Sequence, residues 1–284
     1  MPNRIPFYMP PLFGLLGRIA PQAAARLMAR LIARPGGRNP TQAWELAAGT
    51  AGQALELRTG LHAQSWGEQG PLVLALHGWR GRSSQFRPLA AELLARGMRT
   101  LAVELPGHGI SVGDSATPHL LGELVIEIER ISGPVHAAIG HSFGGAALGA
   151  ALLYGFRPAR LVIVSSPTRV SRMPAFIAKA AGLPPRAMQH FVQLLDEHAG
   201  RPAAELDLVA TAPSSGVPGL LVHDTADAVI PYSEAEALVK AWPGLEFMTT
   251  TGKGHRDILS APEVIRAIAD FLAPRSRPGT PEPP

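Results

Sequence analysis

Between residues 72 and 273, short apolar runs alternate with helical patterns, and this alternation restricts the fold more than any other feature of the chain. Leu72-Val73-Leu74-Ala75-Leu76 and Leu161-Val162-Ile163-Val164 have strand length, as do 100–103, 135–139, 219–223 and 246–251. The first run is apolar without a break, which suits a strand buried on both faces. Between the runs lie helical patterns at 85–96, 118–131, 143–154, 233–241 and 262–273. In the first of these, Phe86, Leu89, Leu93 and Leu94 are expected to point inward. Strands alternating with helices predict an α/β fold, a mostly parallel central sheet flanked by helices. Ahead of it, 55–66 reads as one or two hairpin strands.

The alternation lapses at 169–215. Helical pieces around 174–181 and 185–198 occur there without a convincing strand, as expected of a small helical cap insertion. The predicted organisation is an N-terminal helical segment at 1–46, a core at 47–168 and 216–274, the cap at 169–215, and a proline-rich, disordered tail at 275–284. The cap residues Met173, Phe176, Ile177, Met188, Phe191 and Leu194 either wall a pocket or pack the cap itself.

Composition narrows the chemistry. Hydrophobic residues are 46% of the 284 and charged residues 17%, enough for a sizeable core. No cysteine is present, which excludes disulfides, zinc–thiolate sites and a cysteine nucleophile. The formal charge of +4 is uneven: Arg4, Arg18, Arg26, Arg30, Arg34 and Arg38 precede the first acid, so the remainder carries −2. That remainder has no basic stripe interleaved with aromatics, and nucleic acid is not an expected partner. No stretch reaches the roughly 18 apolar residues that would span a bilayer. Pro11-Leu12-Phe13-Gly14-Leu15-Leu16 superficially resembles a signal sequence, but Arg18 and Pro21 interrupt it, and a cytoplasmic location is expected.

Residues 21–34 read as an amphipathic helix ended by Pro35-Gly36-Gly37. Arg26, Arg30 and Arg34 share one face, with Leu27, Met28, Leu31 and Ile32 on the opposite arc. The simpler reading packs this helix on the body with a solvated arginine face. The alternative is weak membrane-surface contact through residues 1–34, making the protein membrane-peripheral.

In sheets of this type, ligands bind outside the carboxyl ends of the strands. Gly140-His141-Ser142-Phe143-Gly144 matches the Gly-x-Ser-x-Gly pattern of a nucleophilic serine, but Gly109-Ile110-Ser111-Val112-Gly113 matches it too. Context separates them. A nucleophile elbow needs a buried strand directly before the serine and a helix directly after it. Ser142 follows the strand at 135–139 and precedes Phe143-Gly144-Gly145-Ala146-Ala147-Leu148. Ser111 lies in a loop after Pro106-Gly107-His108-Gly109.

A serine hydroxyl needs a base, and the base an orienting acid, here in the chain order serine, acid, histidine. Of the histidines beyond Ser142, His190 and His198 fall on a cap helix, and His223 on a strand that suits a core role. His255 lies in a glycine-rich loop straight after the last strand and is the expected base. Asp224 and Asp227 both follow a strand and could supply the acid; Asp224 could instead cap the turn. Asp257 is expected to hold its own loop or pair with Arg256. The oxyanion hole calls for two backbone N–H groups, one from Phe143 and one from Trp79 in the loop after an early strand.

Residues 70–274 resemble the α/β-hydrolase superfamily. The resemblance rests on His77-Gly78-Trp79, Glu104-Leu105-Pro106-Gly107-His108-Gly109-Ile110-Ser111, Gly140-His141-Ser142-Phe143-Gly144-Gly145, His223-Asp224-Thr225-Ala226-Asp227-Ala228-Val229-Ile230-Pro231 and Gly254-His255. It implies Ser142 as nucleophile, Asp227 rather than Asp224 as acid and His255 as base. Trp79 and Phe143 would line the oxyanion hole. Glu104 departs from the usual aspartate and reads as loop structure. The implied activity is that of a serine esterase without metal or organic cofactor, acting on a small to medium, partly apolar acyl substrate. A thioesterase, lactonase, carbon–carbon bond hydrolase or cofactor-free perhydrolase would share these residues, and a non-catalytic binding protein could share the fold.

Overall fold

A computed structural model describes residues 9–35, 40–47, 51–57, 59–113, 116–199 and 202–274. The tail expected at 275–284 lies outside the described residues, as do Arg4 and Arg38. Among the described residues, eight strands form one sheet: β1 (Gln53–Glu56), β2 (His62–Trp66), β3 (Leu72–Leu76), β4 (Arg99–Val103), β5 (Val135–His141), β6 (Arg160–Val164), β7 (Gly219–Asp224) and β8 (Glu246–Thr250). Their order is β1-β2-β4-β3-β5-β6-β7-β8. β1 pairs antiparallel with β2, and β2 antiparallel with β4; all other neighbours are parallel. The fold is thus that of an α/β hydrolase, with a mostly parallel sheet between helical layers.

The helices are α1 (Met9–Ile19), α2 (Pro21–Ala33), α3 (Ala43–Ala47), α4 (Arg87–Ala95), α5 (Pro118–Ser132), α6 (Phe143–Leu153), α7 (Met173–Ala180), α8 (Pro185–Ala199), α9 (Leu208–Ser215), α10 (Tyr232–Ala241), α11 (Gly254–Asp257) and α12 (Pro262–Leu272). β3 explains the unbroken apolar run. Leu72, Leu74 and Leu76 enter a core with Leu121, Val125 and Ile128 of α5, Leu148 of α6 and Leu238 of α10. Val73 and Ala75 enter the opposite core with Leu89 and Leu93 of α4 and Val264, Ile268 and Leu272 of α12. Alternate side chains face opposite ways, so a strand covered on both sides must be apolar throughout. One inward assignment fails: Leu94 is 45% exposed. It sits one residue, about 100°, around the helix from the fully buried Leu93.

A third core stands apart from both. Phe13 of α1 and Ala24, Ala25 and Met28 of α2 meet Ala178, Ala181, Leu183, Ala187 and Phe191 from the 169–215 insertion. The N-terminal helices therefore pack on α7 and α8. Alanines set the closeness of this packing: Ala24, Ala25 and Ala187 are wholly buried. A Cβ at Gly17 would come within 2.5 Å of the Pro184 ring. This shifts the buried face of α2 away from the sequence expectation. Met28 is buried, but Leu27 and Leu31 are 39% and 50% exposed. The same core accounts for Ile177, Met188, Phe191 and Leu194, which pack toward α1 and α2. Helix α9 lies beyond the helical patterns legible at 174–181 and 185–198; its Leu208 and Ala212 join the core of the sheet.

The strand order reverses at β3. The chain goes from β3 to β4 on one side and then to β5 on the other. The crevice at such a switch point lies outside the carboxyl ends of β3 and β5. Among the described residues, no helix is long and apolar enough to cross a membrane.

Candidate active site

Ser142 stands at this switch point, between the end of β5 and the first residue of α6. Its backbone has φ 53° and ψ −119°, a left-handed conformation that is strained for any residue but glycine. The surrounding packing holds the strain. A Cβ at Gly144 would lie 2.1 Å from the Leu76 carbonyl oxygen, and one at Gly140 would lie 2.5 Å from the Gly145 backbone. A Cβ at Gly145 would meet Ser166 Oγ at 2.5 Å. The glycines around Ser142 are thus required by sheet–helix contact. The Ser142 N–H donates to the Val164 carbonyl at 2.9 Å, and Ser166 Oγ donates to the Ser142 carbonyl at 2.8 Å.

Two loops deliver the other groups. The loop after β8 brings His255, whose Nε2 lies 3.1 Å from Ser142 Oγ. The turn after β7 brings Asp227, whose Oδ2 lies 2.8 Å from His255 Nδ1. Val229 and Ile230 N–H groups donate to Asp227 Oδ1 at 2.8 and 2.9 Å, so Oδ2 is left to the imidazole. Burial opposes ionisation of Asp227. The hydrogen bond and charge of His255, with the Ile230 and Val229 N–H groups, outweigh it and hold the carboxyl below its ordinary range. A carboxylate at Nδ1 fixes the proton there and leaves Nε2 as acceptor for the serine hydroxyl.

Asp224 serves the loops. It is fully buried and accepts from Ala226 N–H (2.9 Å), Gly252 N–H (3.2 Å), Lys253 N–H (2.8 Å) and Thr250 Oγ1 (2.7 Å). The turn carrying Asp227 is thereby tied to the loop carrying His255. His223 is buried beneath them, its Nε2–H donating to the Ile230 carbonyl at 3.1 Å. Asp257 does something the sequence did not suggest: its Oδ1 accepts from Trp44 Nε1 at 3.0 Å. Ser111, the rival serine, donates to the Glu104 carbonyl at 2.7 Å and accepts from His62 N–H at 2.9 Å. Glu104 in turn accepts from the backbone and hydroxyl of Ser83, at 3.0 and 2.9 Å. Both residues shape the loop beyond β4.

The loop after β3 abuts the serine. A Cβ at Gly78 would lie 2.8 Å from Ser142 Cβ and 3.3 Å from its Oγ. The rings of Trp79 and Phe143 meet edge-to-face at 5.3 Å. Phe143 opens α6, where backbone N–H groups have no intrahelical acceptor.

Three histidines that sequence reasoning passed over organise these loops. Leu105 N–H donates to His77 Nε2 at 3.1 Å, and His77 Nδ1–H donates to the Gly78 carbonyl at 2.8 Å. Arg80 N–H donates to His108 Nε2 at 3.0 Å, stabilising Arg80 at φ 57°. His141 Nε2–H reaches the main-chain carbonyl of His255. His77 is pushed down to about 3, by burial first and then by His108. His141 is likewise pushed down to about 3 by burial and by His255. Both are neutral at physiological pH. The only available signal was their position inside the glycine motifs, which identifies a loop but not its hydrogen bonds.

Among the described residues, no group of three or more His, Asp or Glu side chains is placed to hold a metal ion. The insertion leaves the sheet beside Ser142 and is anchored at its stem. Glu234 accepts from Thr168 N–H and Arg169 N–H, both at 2.9 Å, and pairs with the Arg169 guanidinium. Asp207 accepts from Ser171 N–H at 2.8 Å and Ser171 Oγ at 2.6 Å.

Residues 72–268 match the family model described as "Alpha/beta hydrolase family". The chain is 29% identical over 253 residues to a pimeloyl-[acyl-carrier protein] methyl ester esterase of Xanthomonas axonopodis pv. citri; the match covers 72% of this chain and 96% of that protein. It is 39% identical over 89 residues to a human serine hydrolase-like protein, covering 29% of this chain; this stretch spans only 43% of the human protein. A monoacylglycerol lipase of Paleococcus ferrophilus superposes with a TM-score of 0.57 at 20% identity, over 75% of this chain and 98% of that one.

Proposed function

The chain belongs to the alpha/beta hydrolase family, a hydrolase with esterase and lipase relatives, and on that premise we propose that it cleaves an ester of a small to medium, partly apolar acyl group through an acyl-enzyme on Ser142. The observation that carries the proposal is the unbroken relay from Asp227 Oδ2 through His255 to Ser142 Oγ, at 2.8 and 3.1 Å.

In this reading, Ser142 Oγ attacks the acyl carbonyl carbon as His255 Nε2 takes its proton. The negative charge that develops on the carbonyl oxygen is met by the N–H groups of Phe143 and Trp79, with the N-terminal end of α6 adding favourable field. His255 then returns the proton to the departing alcohol. In the second half a water molecule, deprotonated by His255, attacks the acyl-enzyme, and the acid leaves with Ser142 restored. Asp227 keeps the proton of His255 on Nδ1 and stabilises the imidazolium. It remains a carboxylate throughout, consistent with its depressed pKa. An ester is favoured over other acyl bonds because the Xanthomonas relative is named a methyl ester esterase and matches along nearly its full length.

The test is labelling with a fluorophosphonate followed by a panel of p-nitrophenyl esters of rising chain length. The unaltered protein is expected to be labelled and to turn over the panel, and Ser142→Ala to do neither. Folded, unaltered protein that takes no label would overturn the proposal.

A further inference from the structure

We propose that α1 and α2 form a docking surface for a bilayer containing anionic lipid. Among the described residues, fourteen large apolar side chains are exposed, and five of them fall on these two short helices. Scattered apolar residues on a surface need no explanation, but a concentration of this kind does. On α1, Leu12, Leu15 and Ile19 are 52%, 61% and 75% exposed. Their spacing of i, i+3 and i+7 places them in one stripe. This stripe is separate from the face that buries Phe13 against the insertion. On α2, Leu27 and Leu31 form a second exposed pair, one turn apart.

Charge selects the occupant. Arg18, Arg26, Arg30 and Arg34 are all exposed, and residues 1–44 contain no acid. By helical period, Leu27 and Leu31 lie on the arc of α2 between its buried face and the side that carries Arg26 and Arg30. An apolar strip edged by arginines suits the boundary between acyl chains and headgroups. The leucines enter the apolar layer, the arginine stems lie along it, and the guanidinium groups reach lipid phosphates. α1 and α2 are joined through Ala20 alone. Because α2 packs on α8, docking through these helices would hold the insertion close to a lipid surface.

The test is flotation of the full chain with two kinds of vesicle, pure phosphatidylcholine and phosphatidylcholine with about 30 mol% phosphatidylglycerol. The unaltered chain is expected to float with the anionic vesicles, and to lose that binding as salt is raised. The double variant Leu15→Asp/Ile19→Asp should partition at least about tenfold more weakly. The double variant Arg26→Gln/Arg30→Gln should lose about tenfold to thirtyfold on anionic vesicles alone. Thermal unfolding at an unaltered temperature keeps each variant informative, since all four positions are solvent-exposed. Failure of the unaltered chain to float, or equal flotation of the Asp variants, overturns the proposal. So does a dimer in size-exclusion chromatography that the Asp variants dissociate while no form binds vesicles, which would assign the face to a second copy of the chain. Flotation involves no turnover, so this result is independent of whether Ser142 acts as a nucleophile.

Discussion

The Nε2–H of His141 donates a 2.7 Å hydrogen bond to the main-chain carbonyl of His255. The residue before Ser142 therefore fixes the backbone of the residue that would take the proton of Ser142. The serine and the imidazole are held in register by one side chain as well as by their own contact.

His141→Leu keeps the bulk of the ring but removes the donor. The part-buried His255 carbonyl loses that donor, a cost of about 1 kcal/mol. The expected result is a fall in kcat of about tenfold to a hundredfold, since small misplacements of a base carry penalties of that size. KM should be nearly unchanged, and His141→Gln, which retains a donor, should recover part of the loss. Steady-state kinetics on a p-nitrophenyl ester decide it; a His141→Leu protein with unaltered kcat removes the positioning role.

Asp224 and Asp227 should separate cleanly by substitution. Asp227→Asn is expected to lower kcat by about 10⁴ by releasing the imidazole tautomer, with little change in melting temperature. Asp224→Asn breaks into a carboxylate that accepts four hydrogen bonds across two loops. It should destabilise the protein by about 2–4 kcal/mol and lower kcat only through that loosening. Calorimetry beside kinetics checks both; the reverse pattern would exchange the two roles.

Glycine substitutions near Ser142 should differ by what they strike. In Gly78→Ala the new Cβ meets the Ser142 side chain at 2.8 Å. Activity should drop about a hundredfold or more while the protein still folds, as expected when a group beside the reacting atom is displaced by a fraction of an ångström. In Gly144→Ala the Cβ meets the Leu76 carbonyl at 2.1 Å, and neither partner can move without parting helix from sheet. Loss of soluble protein is expected there. A soluble, active Gly144→Ala protein would contradict this packing.

Acid should begin to destabilise the protein well above the carboxylate range. His77 and His141 have native values of about 3 against an ordinary 6.5. Between pH 6.5 and 3 the unfolded chain binds protons there that the native chain does not, so stability falls as pH falls through that window. His223 is shifted the same way by burial. Asp227 and Glu234, held below their ordinary values, extend the loss below about pH 4.5. Urea unfolding should show about 4 kcal/mol less stability at pH 5 than at pH 7.5, with at least about two protons taken up per molecule unfolded. A flat profile down to pH 5 would mean that these imidazoles are not held neutral in the native protein.

The parts that could be read in the sequence and the parts that could not divide along a physical line. The run from Leu72 to Leu76 announced a strand covered on both faces, because period-2 alternation leaves no room for a polar residue there. Ser142, Asp227 and His255 each sit at the carboxyl end of a parallel strand, and parallel strands bring those ends together however far apart they lie in the chain. What covers an apolar face is not written in its period. Ala24 and Ala25 bury more completely than Leu27 and Leu31 because close approach to α8 favours small side chains. Phe191, which the sequence leaves between pocket wall and cap packing, lies against α1 and α2. The Trp44–Asp257 contact joins residues 213 positions apart, with no motif to mark either.

The separate core shared by α1, α2, α7 and α8 bears on how such a chain can diversify. Around Gly140, Gly144 and Gly145, neighbouring atoms at 2.1–2.5 Å forbid even a methyl group, so heritable variation there is all but closed. The helices beyond the sheet face no such bar, and a change at Met28 or Phe191 adjusts helix spacing without reaching either core of the sheet. Substitutions that alter helix spacing are therefore expected to be tolerated in α1, α2, α7 and α8 and not beside Ser142, where the backbone of the sheet and of α6 leaves no slack.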